Sequence, residues 1–215
     1  MNVPERGAGQ IRIGIAIEIP EPYAAELSAA RVAADDPLAN FIPPHITLLG
    51  PTLLDVEQLA EARAHLAEVA AEDPLADFIP PHITLLGPTL LDAGRLAEAR
   101  EHLAAVAAAA PPFTVQLRGT ATFRPISPVV FVALAQGISE CEQLEASVRT
   151  GMLDGELRFN YHPHVTIAHE VPDSSLDKAF EAMADYSAEF DVDRFYQYEH
   201  GDDGIWRPQA AFPLG

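Results

Sequence analysis

Three short phrases in this chain set a histidine two residues ahead of a threonine: His45-Ile46-Thr47, His82-Ile83-Thr84 and His164-Val165-Thr166. On an extended strand, residues i and i+2 point the same way, so imidazole and hydroxyl share a face while the aliphatic residue between them packs behind. A hydroxyl can donate to a non-bridging phosphate oxygen. An imidazole, with an ordinary pKa of about 6.5, can move a proton at a bridging or attacking oxygen near neutral pH. Two such units facing each other across a cleft would put a base on one side of phosphorus and an acid on the other, as in-line displacement requires. One His-x-Thr is explained equally well by a strand histidine bonded to its neighbour. Independent recurrence of Pro-His-Ile/Val-Thr-Leu/Ile at 44–48 or 81–85 and at 163–167 favours a catalytic pair.

The first two phrases are not independent of each other. Residues 36–72 and 73–109 are contiguous 37-residue units that differ at only seven positions: 40/77, 56/93, 57/94, 58/95, 64/101, 68/105 and 72/109. Two units are too few for a solenoid, which needs at least about three to bury a continuous core. Val-Ala-Ala stands at each junction, so a recent tandem duplication explains the pattern, and removing one unit from 215 residues leaves an ancestral 178. Two candidates therefore compete for the first site position. Copy one (His45, Thr47) has the native upstream connection and the stronger helix start, Asp55-Val56-Glu57-Gln58. Copy two (His82, Thr84) has the native downstream connection and the shorter separation, 82 residues, to His164, and is preferred despite Gly94 at its helix start. The displaced unit would carry an apolar strand and helix, to be covered as an extra layer or by a swap into a homodimer.

Other residues offer weaker chemistry. Arg124 and Tyr161 are candidate substrate-binding residues, with Arg158 and Phe159 beside them, although surface charge and packing explain these positions as well. His162, His164 and His169 have no carboxylate cluster at ligand spacing, so no metal site is expected. His65 and His102 occupy equivalent helix positions and are expected in solvent, Trp206 in the core, and Thr52 and Thr89 at turns.

The elements that must position these groups follow an α+β pattern. Ile11, Ile13, Ile15, Ile17 and Ile19 alternate with polar or small residues, as in a half-buried strand. Pro22 opens a helix with Tyr23, Leu27 and Ala30 or Ala34 on its apolar stripe. Each repeat adds a short strand closed by Gly-Pro and a helix, the latter carrying Leu96, Leu103 and Val106 in copy two. Strands at 113–117, 129–135 and 164–170 follow. Between the last two lies a helix with capping-box spacing at Ser139 and Glu142 and an apolar face of Cys141, Leu144 and Val148. A helix over 175–187 and two terminal strands, near 190–198 and 206–212, complete the chain.

Composition limits the partners. The net charge is −19, from 32 acidic and 13 basic residues, with Lys178 the only lysine. Such a surface repels polyphosphate, which argues against non-specific nucleic-acid or anionic-membrane binding but not against a small phosphorylated ligand in a local pocket. The single cysteine, Cys141, allows no internal disulfide and fits a reducing compartment. No apolar run reaches membrane-spanning length, and MNVPERGAGQ does not look like a secretory signal, so a soluble cytoplasmic protein is expected.

With Pro-His-Ile-Thr (44–47 or 81–84), Pro-His-Val-Thr (163–166), their spacing and the terminal Gly-Ile-Trp-Arg-Pro-Gln-Ala-Ala-Phe, the chain resembles the 2H phosphoesterase superfamily, in particular its 2′-5′ RNA ligase-like, RNA 2′,3′-cyclic phosphodiesterase group. The resemblance covers nearly all of the ancestral chain. It implies one bilobal α+β domain over 1–215, with two pseudo-symmetric antiparallel sheets and flanking helices around a central cleft, one His-x-Thr from each lobe, and no metal or cofactor. The implied reaction is hydrolysis of 2′,3′-cyclic phosphates of RNA ends or small nucleotides to 2′-phosphates. In it the first-motif histidine protonates the departing ribose 3′-oxygen, His164 activates water, and Thr47 or Thr84 with Thr166 holds the phosphate. Related chemistry in the same fold (2′-5′ ligation or ADP-ribose cyclic phosphate hydrolysis) and a non-catalytic nucleotide-binding or assembly protein are the alternatives.

Overall fold

The computed structural model describes residues 4–34, 82–155, 157, 159–203 and 205–215. Repeat copy one, with His45 and Thr47, lies outside the described residues, as do Arg158 and the question of how the displaced unit is covered.

The described elements are β1 (Gln10–Glu18), α1 (Tyr23–Ala33), β2 (His82–Asp92), α2 (Leu96–Ala109), β3 (Phe113–Thr122), β4 (Val129–Gln136), α3 (Ile138–Val148), β5 (His164–His169), α4 (Asp173–Ala182), β6 (Ser187–Val192), β7 (Arg194–His200) and β8 (Trp206–Pro213). They form two four-stranded antiparallel sheets, in the orders β2-β1-β7-β8 and β5-β4-β3-β6. The α+β, two-sheet architecture expected from the sequence is therefore present.

The helices are exchanged between the sheets. α1 follows β1 in the chain yet packs beside β5 of the second sheet, while α3 follows β4 yet packs beside β2 of the first. α2 and α4 stay with their own sheets, against β8 and against β3, β4 and β5 respectively. One continuous core results, with Ile13, Ile15, Ile17, Leu27, Ile83, Leu103, Val132, Leu144, Ile167 and Leu176 all buried. On the opposite face of β1, Ala16, Tyr198 and Trp206 form a smaller cluster, so β1 is covered on both faces along Ile13–Ile17 instead of half-buried. A β-carbon on Gly14 would sit 3.1 Å from Cζ3 of Trp206, so the indole packs closely over this glycine.

Several local expectations change. β2 does not stop at Gly87-Pro88 but continues to Asp92, because Pro88, which has no N–H, falls where the β1–β2 register shifts between Ile13 and Ile15. Thr89 accordingly lies within this strand, its hydroxyl bonded 3.0 Å to the Gly87 carbonyl. Gly94 sits in a 3-10 turn, Ala93–Arg95, and α2 begins after it. No capping box forms at Ser139 and Glu142; α3 starts from Gly137, whose φ of 87° a residue with a side chain rarely adopts. α4 ends at Ala182, five residues before the expected limit, and the chain then enters β6. The expected strand at 190–198 is two strands in different sheets, because at Asp193 the chain crosses from β6 beside β3 to β7 beside β1. His102 is half-buried, its Nε2 3.1 Å from the Val148 carbonyl, and ties α2 to α3 instead of facing solvent.

Candidate active site

Both described His-x-Thr phrases stand on edge strands. β2 ends the first sheet, β5 ends the second, and these two edges are in contact. Strand parity turns His82 with Thr84, and His164 with Thr166, toward one face each. All four are buried, at 4%, 6%, 1% and 1% exposure, a cost that polar residues bear only where they are bonded or functional.

His164 is held by its own loop. Its Nδ1 lies 2.7 Å from the His162 carbonyl; a carbonyl can only accept, so Nδ1 carries the proton and Nε2 keeps its lone pair. Among the described residues, no group hydrogen-bonds that Nε2. The ring is walled by Phe123 and Phe131, with centroids 5.0 and 4.7 Å away, and His162 stacks at 6.2 Å. Phe131 arrives there as the cross-strand partner of Thr166. Desolvation in this pocket, reinforced by the nearby His162 and His82 and opposed by the carbonyl bond, lowers the His164 pKa to about 3. His164 is therefore a neutral imidazole at physiological pH, its Nε2 unprotonated.

His82 has a different setting. Its cross-strand partner on β1 is Glu18, and its ring lies 6.5 Å from that of Tyr198. The Tyr198 hydroxyl donates to Glu18, and burial and that carboxylate both push the phenol up. A carboxylate thus flanks one histidine and phenyl rings the other.

Of the two residues expected to bind substrate, the Arg124 guanidinium sits 2.8 Å from Asp177 and 3.8 Å from Asp173, both on α4. A phosphate would have to displace those carboxylates. Tyr161 points inward, and its hydroxyl donates to the Thr84 carbonyl at 2.9 Å, linking the loop before β5 to β2. Glu18, Tyr198, Phe123 and Phe131 are site neighbours that the sequence reading passed over. Glu18 could have been found from strand parity, since it shares its face with Gly14 and Ala16, the inverse of the isoleucine face. Among the described residues, no three His, Cys, Asp or Glu side chains are grouped to hold a metal, and no helix is long and apolar enough to cross a membrane.

The model of the 2′-5′ RNA ligase superfamily matches residues 70–204, more than half of the chain. A Bacillus licheniformis protein provisionally named a phosphoesterase is 28% identical over 106 residues, covering 48% of this chain and 62% of that protein. A similarly named Geobacillus kaustophilus protein is 26% identical over 107 residues, covering 49% and 61%. The matched stretch thus spans less than two thirds of these relatives. The crystal structure of E. coli LigT with 3′-AMP superposes over 95% of this chain and 98% of that one, at 19% identity and a TM-score of 0.54. LigT with phosphate gives 96%, 99%, 19% and 0.51. At such identities the likeness is one of fold.

Proposed function

The chain belongs to the 2′-5′ RNA ligase superfamily of 2H phosphoesterases, and from that premise we propose that it is a metal-independent phosphodiesterase hydrolysing 2′,3′-cyclic phosphates of small nucleotides or RNA ends to 2′-phosphates. The observation that carries the proposal is the pairing of His164, with Nδ1 bonded to the His162 carbonyl and Nε2 unprotonated, with His82 on the neighbouring sheet edge. His164 Nε2 takes a proton from water as the water oxygen attacks phosphorus. The bond from phosphorus to the ribose 3′-oxygen breaks, and His82 delivers a proton to that oxygen. Glu18 beside His82 supplies a counter-charge for the imidazolium this role requires. Thr84 and Thr166 donate to the non-bridging oxygens. The LigT structures with 3′-AMP and phosphate support a nucleotide-sized phosphoester as ligand. The whole chain is taken as one bilobal domain with both lobes contributing to the site.

The test is turnover of a 2′,3′-cyclic nucleotide in EDTA by the wild type, His164→Ala, His82→Ala and His45→Ala. Loss of about a hundredfold or more is expected in the first two variants and not in the third. Wild-type activity abolished by EDTA would defeat the metal-independent mechanism. No wild-type turnover would defeat this choice of substrate.

A further inference from the structure

We propose that Tyr161 is a positioning residue whose hydroxyl clasps the two sheet edges together and so sets the distance between the two His-Thr pairs; this rests on the two-histidine site. The geometry is specific. The two motif strands belong to different sheets, and no backbone ladder joins β2 to β5. The hydrogen bond from the Tyr161 hydroxyl to the Thr84 main chain crosses that gap at 2.9 Å. The tyrosine ring packs against the common core, which gives the hydroxyl a rigid mount. Burial, with Cys141, Glu145 and Glu142 nearby, holds the phenol protonated well beyond its ordinary range, so it remains a donor at any working pH.

The same four residues control both halves. In Tyr161-His162-Pro163-His164, the first holds Thr84, the carbonyl of the second fixes the His164 tautomer, and the proline restricts the backbone between them. A shift of Tyr161 would therefore move one His-Thr pair relative to the other. In-line proton transfer is sensitive to such a shift, since a misplacement of about 1 Å can cost on the order of a hundredfold in rate.

The test compares wild type, Tyr161→Phe, Thr84→Ala, the double variant and Leu103→Ala, a buried truncation in α2 that touches no hydrogen bond of the clasp. Two readouts are used well below each melting temperature: cyclic-nucleotide turnover in EDTA, and calorimetric binding of inorganic phosphate. Tyr161→Phe should lower kcat/KM by about tenfold or more and weaken phosphate binding, whereas Leu103→Ala should lower the melting temperature and leave phosphate affinity unchanged. Because part of the Tyr161 effect passes through the placement of the Thr84 hydroxyl, the losses of phosphate affinity in the double variant should be less than additive. Phosphate affinity and kcat/KM at wild-type levels without the hydroxyl would overturn the clasp, as would fully additive losses in the double variant. Wild-type protein that binds phosphate with this coupling but turns over no cyclic nucleotide would sustain the clasp and defeat the proposed reaction. Absence of wild-type phosphate binding would defeat the site on which both depend.

Discussion

His164 shows how one side chain can be given a chemical role by its surroundings. The His162 carbonyl selects the tautomer, and the two phenylalanine rings keep the imidazole neutral. The same burial has a thermodynamic consequence. Its folded pKa, about 3, lies below the ordinary value of 6.5, so as pH falls through 6.5 the unfolded chain takes up a proton that the folded chain refuses. The stability contribution is complete above about pH 6.5 and is lost progressively toward pH 3, amounting to on the order of 5 kcal/mol at most. Chemical denaturation between pH 7 and 4 should therefore show a steeper loss of stability in the wild type than in His164→Ala; equal slopes would contradict the buried neutral imidazole. Arg124 poses the converse question. Its carboxylate partners are exposed, so the pairing contributes about 1 kcal/mol or less, and Arg124→Ala should barely move the melting temperature. An accompanying rise in KM of tenfold or so would show that the guanidinium leaves Asp177 for the substrate.

At the scale of elements, the strands that bear the two described His-x-Thr phrases are edges, and edges need management. β2 and β5 meet each other, and Tyr161 supplies a bond between them. The start of α3 depends on backbone geometry: a β-carbon on Gly137 would lie 2.9 Å from both the Thr114 carbonyl oxygen and Cγ2 of Val115, at a φ of 87°. Gly137→Ala should cost about 1–3 kcal/mol, read as a lower melting temperature, and an unchanged one would refute the strain argument. α3 packs beside β2, so part of this loss should also appear as reduced turnover. Periodicity found the strands and helices but mistook their ends, for identifiable reasons. Pro88 is tolerated inside β2 because the register shifts there, and the β6–β7 crossing at Asp193 has no glycine or proline to announce it.

For the whole molecule, the exchanged helices matter most. With α1 on the second sheet and α3 on the first, neither lobe has a separate core, so a core substitution in one lobe should lower the stability of both together. Every described element comes from outside residues 36–72. Deleting that unit should leave a 178-residue chain that keeps its melting temperature within a few degrees and its cyclic-nucleotide turnover within about threefold. A tenfold loss would mean that copy one contributes to the site.

The sequence by itself determined the recurring His-x-Thr phrases, the α+β class, the repeat and the family, because period-two alternation and a recurring His-x-Thr are local patterns that chain geometry translates directly into shared faces. Only the tertiary structure decided that copy two occupies β2, that both motifs lie on meeting sheet edges, that Phe123 and Phe131 desolvate His164 while Glu18 flanks His82, and that Tyr161 joins the lobes. Those facts depend on contacts between residues far apart in the chain, Tyr161 and Thr84 being 77 positions apart. Two nearly identical repeats carry the same local signal, so only packing can choose between them.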